Sequence, residues 1–195
     1  MNYTPIARLI FNPISHRTDR WATDEEKIQR NVLASLLKRG RHTEQGKRYD
    51  YREILENEDV YEEFSRRVPI VEYEDIRKDV MRMIEGERDV LWRGRCMNFA
   101  QSSGTSGGRS KYIPVTDENL RRGHYKGSAD CVAHYLRHNP NSRLFSGKGF
   151  ILGGSFASEL KPSDPNVRVG DLSATLINKI NPLANFSGCP INGQP

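Results

Sequence analysis

Apolar residues first fall into a helical rhythm in TDEEKIQRNVLASLLKRG, where Ile28, Val32, Leu33, Leu36 and Leu37 share one face. Thr23 and Glu26 have capping-box spacing ahead of that face, and Gly40 is placed to end the helix as a left-handed cap. The next stretch, QGKRYDYREI, is polar and aromatic and reads as a loop followed by a short turn of helix. A second helical rhythm follows in RVPIVEYEDIRKDVMRMIEGE. Its Val-Pro-Ile piece is extended and feeds a helix over about Tyr73–Ile84, with Ile76, Val80, Met83 and Ile84 inward and Gly86 as the stop.

Beyond residue 90 the period shortens. DVLWRG and CMNFAQ are strand candidates, and KYIPV is a third, kept from a central position by Pro114, which cannot donate to a ladder. Thr116 is placed to cap a helix through about Leu136, although Gly123 and Gly127 weaken it. GKGFILGGSF predicts a buried strand. From Lys161 the chain is rich in Pro, Asn, Ser and Gly, interrupted by LSATLINKI, which suits a helix or a strand. The pattern is that of an α/β chain, mainly helical over 1–90 and mixed over 91–195, with no internal repeat.

A chain of 195 residues, 36% of them hydrophobic, can bury a sizeable core as one domain or as part of a larger one. No run approaches the roughly 18 apolar residues of a membrane span, and the opening MNYTPIARLIFNPIS has too short an apolar stretch for a secretory signal. A cytoplasmic protein without membrane partners is therefore expected. Cys96, Cys131 and Cys189 are odd in number, far apart and without a C-x-x-C pair, so buried reduced thiols are expected in place of a disulfide framework or zinc ribbon. Thirty Lys and Arg against twenty-five Asp and Glu leave +5, compatible with a polyanion partner. Yet DEEKIQR and EYEDIRKD interleave the signs at helical spacing, and only LKRGRH and NLRRGHYKG are locally basic. Dispersed surface charge is favoured over a nucleic-acid footprint.

The candidate chemistry lies between the second and third strand segments, in FAQSSGTSGGRSKYIPVT. Seven consecutive Ser, Gly or Thr residues run from Ser102 to Gly108, and Lys111 follows. Neither familiar nucleotide fingerprint is present: there is no G-x-x-x-x-G-K-[ST], and Gly147, Gly149 and Gly153 are spaced one residue too long for G-x-G-x-x-G. A physical case for anion binding stands without them. Gly104, Gly107 and Gly108 permit positive φ values that turn successive N–H groups toward one point. Ser102, Ser103, Thr105 and Ser106 add hydroxyl donors, and Lys111 adds a mobile positive charge suited to a polyphosphate, with Arg109 as a second cation. The plainer alternative is a solvent-exposed hairpin connection. A threonine and a following cation are unnecessary in a spacer, and the segment is bracketed by strands, so phosphate binding is the better reading.

SSGTSGGRSK resembles the phosphate-binding signature of adenylate-forming enzymes. Its spacing, S-S-G-T-S-x-G-x-x-K, is similar to that of the GH3 family of acyl acid amido synthetases. The wider superfamily usually has its cation one residue nearer the glycines, which favours GH3 over the alternative, an acyl-CoA ligase. RRVPIVEYEDIRKDVMRMIEGE is similar to the family's upstream block, and the early helix with Gln29 and LASLL suits its N-terminal region. The resemblance implies the N-terminal portion of a large ATP-binding domain, with mixed sheet flanked by helices. Later family motifs and the small C-terminal domain have no counterpart here, so the chain is expected to be incomplete for catalysis on its own.

The implied activity is ATP- and Mg²⁺-dependent formation of an acyl adenylate, then amide ligation of a small carboxylic acid to an amino acid. Ser102, Ser103, Gly104, Thr105, Ser106, Gly107 and Gly108 would contact phosphate, and Lys111 would both bind phosphate and act catalytically. Outside this loop, Cys131, His134 and His138 have C-x-x-H-x-x-x-H spacing on one helix face, but a fourth zinc ligand is missing and ordinary packing is favoured. GGSFASEL lacks the G-x-S-x-G elbow of a hydrolase. Packing is favoured over an acid pocket for Tyr49, Tyr51, Tyr61, Phe64 and Tyr73.

Overall fold

The computed structural model describes residues 2–102, 110–147 and 152–179. The chain divides into two compact units, each assembled from separate stretches: 24–116 with 155–172, and 1–23 with 117–154 and 173–195.

The first of these units begins with α2 (Glu25–Gly40) and continues through short helices α3 (Glu44–Arg48), α4 (Tyr51–Glu56) and α5 (Val60–Arg67) to α6 (Tyr73–Ile84). Local chemistry explains most of their starts. The Asp59 carboxylate accepts from the N–H groups of Tyr61 and Glu62 at 3.0 Å, and the Thr43 hydroxyl accepts from Gly46 N–H at 3.0 Å. The capping box expected at Thr23 and Glu26 does not form: α2 is entered through Asp24, and Thr23 instead closes the preceding 3₁₀ turn onto Arg20 O. Gly40 is not a left-handed cap either. It is the last residue of α2, followed by the right-handed Arg41. A Cβ there would meet the Tyr51 ring at 3.4 Å, an ordinary contact, whereas a Cβ at nearby Gly46 would collide with Gly40 O and the Arg41 main chain, so the close approach that requires glycine is at Gly46. Helix α6 matches its expected limits, and Gly86 ends it at φ +95°.

Among the described residues the sheet has three short strands, β1 (Asn98–Gln101), β2 (Tyr112–Pro114) and β3 (Arg168–Gly170), in the order β2-β1-β3. β2 runs antiparallel to β1, with Phe99 opposite Pro114 and Gln101 opposite Tyr112. β3 runs parallel to β1, with Phe99 opposite Val169. Pro114 is thus on an edge strand, as its missing donor requires. DVLWRG is a turn and not a strand, with Asp89 at φ +58° and Gly94 N–H bound to its carboxylate at 2.6 Å. The expected strand in GKGFILGGSF lies partly outside the described residues, and 152–156 form no strand. Val80, Met83 and Ile84 of α6 pack on Val90, Cys96, Phe99, Val167 and Val169 as one buried cluster.

The other unit pairs α1 (Thr4–Thr18) with α8 (Lys126–His138). A single long helix was expected after Thr116; it starts at Asp117 as α7 (Asp117–Asn119) and widens to π-helical turns over Leu120–Tyr125, around Gly123, before α8. Arg8 donates to the carbonyls of Leu136, Asn139 and Pro140 at 2.5, 2.6 and 2.7 Å, satisfying the C-terminal end of α8. LSATLINKI supplies α9 (Leu172–Asn178), and the Tyr125 hydroxyl donates to Leu176 O at 3.0 Å. Burial first, then the Asp117 charge, push the Tyr125 phenol up from its ordinary value.

Candidate functional site

The expected phosphate loop leaves β1 at Gln101 and returns into β2 at Tyr112. Ser103, Gly104, Thr105, Ser106, Gly107, Gly108 and Arg109 lie outside the described residues, whereas Ser102 and Lys111 lie within them.

The neck of this hairpin is closed on both sides. Ser102 N–H donates to Lys111 O at 2.9 Å, and Lys111 N–H donates to the Ser102 hydroxyl at 2.9 Å. Because that oxygen accepts, the Ser102 hydroxyl proton is left to donate elsewhere. One step out, Gln101 Nε2 donates to the Ser110 hydroxyl at 3.1 Å, and Gln101 Oε1 is a buried acceptor with no donor among the described residues. Gln101 and Ser110 were not expected to take part. Their signal is positional, since they flank the Ser/Gly run.

A further residue reaches the neck from α6. Asp75 accepts from Glu72 N–H at 2.8 Å and so fixes the first turn of that helix, on which Tyr73 stands. The Tyr73 hydroxyl accepts from Tyr112 N–H at 2.8 Å and approaches Tyr112 O at 3.4 Å. Both are edge groups. Ser102 pairs with Lys111 through the ladder, so by antiparallel alternation the next residue, Tyr112, turns its N–H and C=O away from β1. The exposed Lys111 side chain carries its ammonium 5.7 Å from the centre of the Tyr73 ring. Among the described residues no carboxylate lies within ion-pair distance of it.

Elsewhere, most of the residues for which packing was favoured over a site make ordinary contacts. The Thr18 hydroxyl is 2.5 Å from His134 Nε2, and the His134 and His138 rings stack at 6.4 Å. Cys131 is exposed, contrary to the expectation of a buried thiol, while Cys96 is buried and Cys189 lies outside the described residues. Among the described residues no group of three or more His, Cys, Asp or Glu is arranged to hold a metal ion, and no helix is long and apolar enough to cross a membrane. Tyr51 packs beside Phe64 with ring centres 6.4 Å apart, and Tyr61 lies under Arg30 at 5.5 Å.

The profile of the GH3 family N-terminal domain matches residues 15–180. The chain belongs to the GH3 family. The Arabidopsis thaliana indole-3-acetic acid-amido synthetase GH3.4 is 34% identical over 98 residues, which are 50% of this chain and 16% of that protein. GH3.15 of the same plant is 38% identical over 101 residues, 51% of this chain and 16% of its own. Among solved structures, the acyl acid amido synthetase GH3.15 in complex with 2,4-DB superposes with a TM-score of 0.61 at 26% identity, covering 90% of this chain and 28% of that one. This GH3 chain therefore spans less than a third of the solved proteins that it resembles. The likeness extends to the architecture expected from the sequence, helices around a small mixed sheet.

Proposed function

We propose that this chain carries the phosphate-gripping hairpin of an ATP-dependent ligase, one that activates a small carboxylic acid as its acyl adenylate and transfers it to an amino acid. The observation that carries the reading is the closed neck: β1 and β2 are locked together up to Ser102 and Lys111, where the S-S-G-T-S-x-G-x-x-K signature begins and ends. A loop with fixed ends meets its ligand at a lower ordering cost than a free one. Family membership, and relatives named as amido synthetases, support the same conclusion.

In the first step a carboxylate oxygen of the acid attacks the α-phosphorus of ATP, and the bond from that phosphorus to the bridging oxygen breaks to release pyrophosphate. In the second, the amine nitrogen attacks the acyl carbon, AMP departs and the amine loses a proton. The first step brings two anions together, so charge repulsion is its main obstacle. Lys111 is suited to relieve it, because its ammonium is not neutralised by a carboxylate among the described residues. Ser102 keeps a hydroxyl proton for a phosphate oxygen, and Ser103, Thr105, Ser106 and the N–H groups at Gly104, Gly107 and Gly108 would complete the grip. Mg²⁺ bound with the nucleotide would supply further charge neutralisation beside Lys111 and the loop hydroxyls. The same reading places the protein in the cytoplasm, which supplies ATP and keeps thiols reduced.

A nucleic-acid-binding role is disfavoured by how the positive charges are spent. Arg82 contacts Glu44 at 2.6 Å, Asp79 at 3.0 Å and also Glu87, while Arg30 bonds Asp59 at 2.7 Å. The test is acid-dependent exchange of labelled pyrophosphate into ATP by the intact protein, followed by a choice between amino acid and coenzyme A as acceptor. Lys111→Ala should lower kcat/KM for ATP by about a hundredfold without lowering the melting temperature. Unchanged exchange in that variant refutes the role of Lys111, and transfer only to coenzyme A would make the protein a thioester-forming enzyme.

A further inference from the structure

A lysine on the exposed end of an edge strand sweeps a wide volume on its flexible stem unless a neighbour confines it. Lys111 is in that position, and its neighbour is Tyr73. We infer that Tyr73 is a positioning residue for Lys111, and that α6 thereby sets where the phosphate-binding lysine stands. The inference rests on the function proposed above.

Tyr73 acts on the lysine through two routes. Its hydroxyl holds the main chain of Tyr112, the residue directly after Lys111, by occupying an edge N–H and C=O that have no ladder partner among the described residues. Its ring offers the ammonium an electron-rich face at 5.7 Å. The base from which it does so is rigid. The Glu72–Asp75 bond fixes the start of α6, and the Tyr73 ring packs against the cluster containing Val80, Met83 and Phe99. A residue present only to fill space there would need no hydroxyl. Tyrosine supplies both the apolar ring and the polar tip that reaches the strand.

The experiment is steady-state kinetics of the intact protein with MgATP and with the acid varied separately. Tyr73→Phe keeps the ring and loses the strand bonds, and Tyr73→Leu loses both. The KM for MgATP should rise about threefold in the first and about tenfold in the second, from the loss of a hydrogen bond and of a weak cation–π contact. The KM for the acid should stay at its wild-type value. In a Lys111→Ala background, Tyr73→Leu should change the KM for MgATP by less than about twofold, because the two residues act as a unit.

Equal effects of Tyr73→Leu with and without Lys111 would overturn the inference, as would a rise in the acid KM matching that for MgATP. If Lys111→Ala alone leaves the MgATP parameters unchanged, the underlying function has failed and the inference fails with it. Should Tyr73→Leu not fold, Tyr73→Phe and its combination with Lys111→Ala decide the matter by the same criteria.

Discussion

Replacing Gly170 with alanine adds one methyl group to β3 where the extended stretch around Phe156 lies against it. A Cβ at Gly170 would fall 2.5 Å from Phe156 Cα, 2.5 Å from Ser155 O and 3.1 Å from Phe156 C, all main-chain atoms. Carbon atoms settle at about 3.5–4.0 Å, so the two backbones must part by about 1 Å. Ser155 is not free to retreat. Asp171 N–H donates to Ser155 O at 2.9 Å, and Ser155 N–H donates to Asp171 Oδ2 at 2.9 Å. Arg168 also lies over the Phe156 ring at 5.3 Å. Two strained hydrogen bonds cost about 1 kcal/mol each, and overpacking adds about 1–3 kcal/mol. The expected loss is about 3–5 kcal/mol, which for a chain of this size lowers Tm by roughly 10 °C. Gly127→Ala is the matched control: Gly127 is exposed in α8, and among the described residues nothing beyond its own stretch of helix backbone lies within 4 Å of a Cβ built there. That variant should gain about 0.5–1 kcal/mol of helix propensity. Circular dichroism melts at one heating rate read both. A Gly170→Ala protein that melts with the wild type would show that residues 155–156 do not rest on β3.

Two further outcomes concern packing and charge. Phe99 is fully buried between the sheet and α6, so Phe99→Ala should lower the urea midpoint by the equivalent of about 3–5 kcal/mol, and a change below about 1 kcal/mol would contradict its central place. Arg66 and then Arg67 hold the Glu63 carboxyl down to about 2, from an ordinary 4.5. Its folded value lies below its unfolded one, so this stabilisation is complete above about pH 4.5 and is lost as the pH falls toward 2. Glu63→Gln and wild-type urea midpoints should therefore converge over that interval, and added salt should narrow their gap at neutral pH. A gap independent of both pH and salt would mean that the contact is not ionic.

What could be read from the residues alone was whatever is decided within a few positions along the chain. The limits of α6 follow from its own apolar spacing and from the positive φ that Gly86 accepts. Pro114 excludes itself from a central strand by lacking a donor, and the Ser/Gly/Thr run with its trailing lysine carries the family signature without reference to any distant residue. The misses share the opposite property. Helix α1 buries Thr4, Ser15 and Thr18 and leaves Leu9 76% exposed; Thr4 and Thr18 meet Phe145 N–H and His134 Nε2 on distant segments, while Ser15 bonds Asn12 O within the helix. Strand β3 arises in a tail rich in loop residues, since three residues suffice once β1 supplies the ladder from across the sequence. Gly40 has the position of a conformational cap, but it ends α2 ahead of a right-handed Arg41, and the glycine that a close backbone approach requires is Gly46, packed on Gly40 O and the Arg41 main chain. Tyr73 looked like another packed aromatic, and only the fold brings its hydroxyl to the edge groups of Tyr112. Local torsions and short-range periodicity are written in consecutive residues; which orphaned donor meets which acceptor is settled only when segments remote in sequence close on one another.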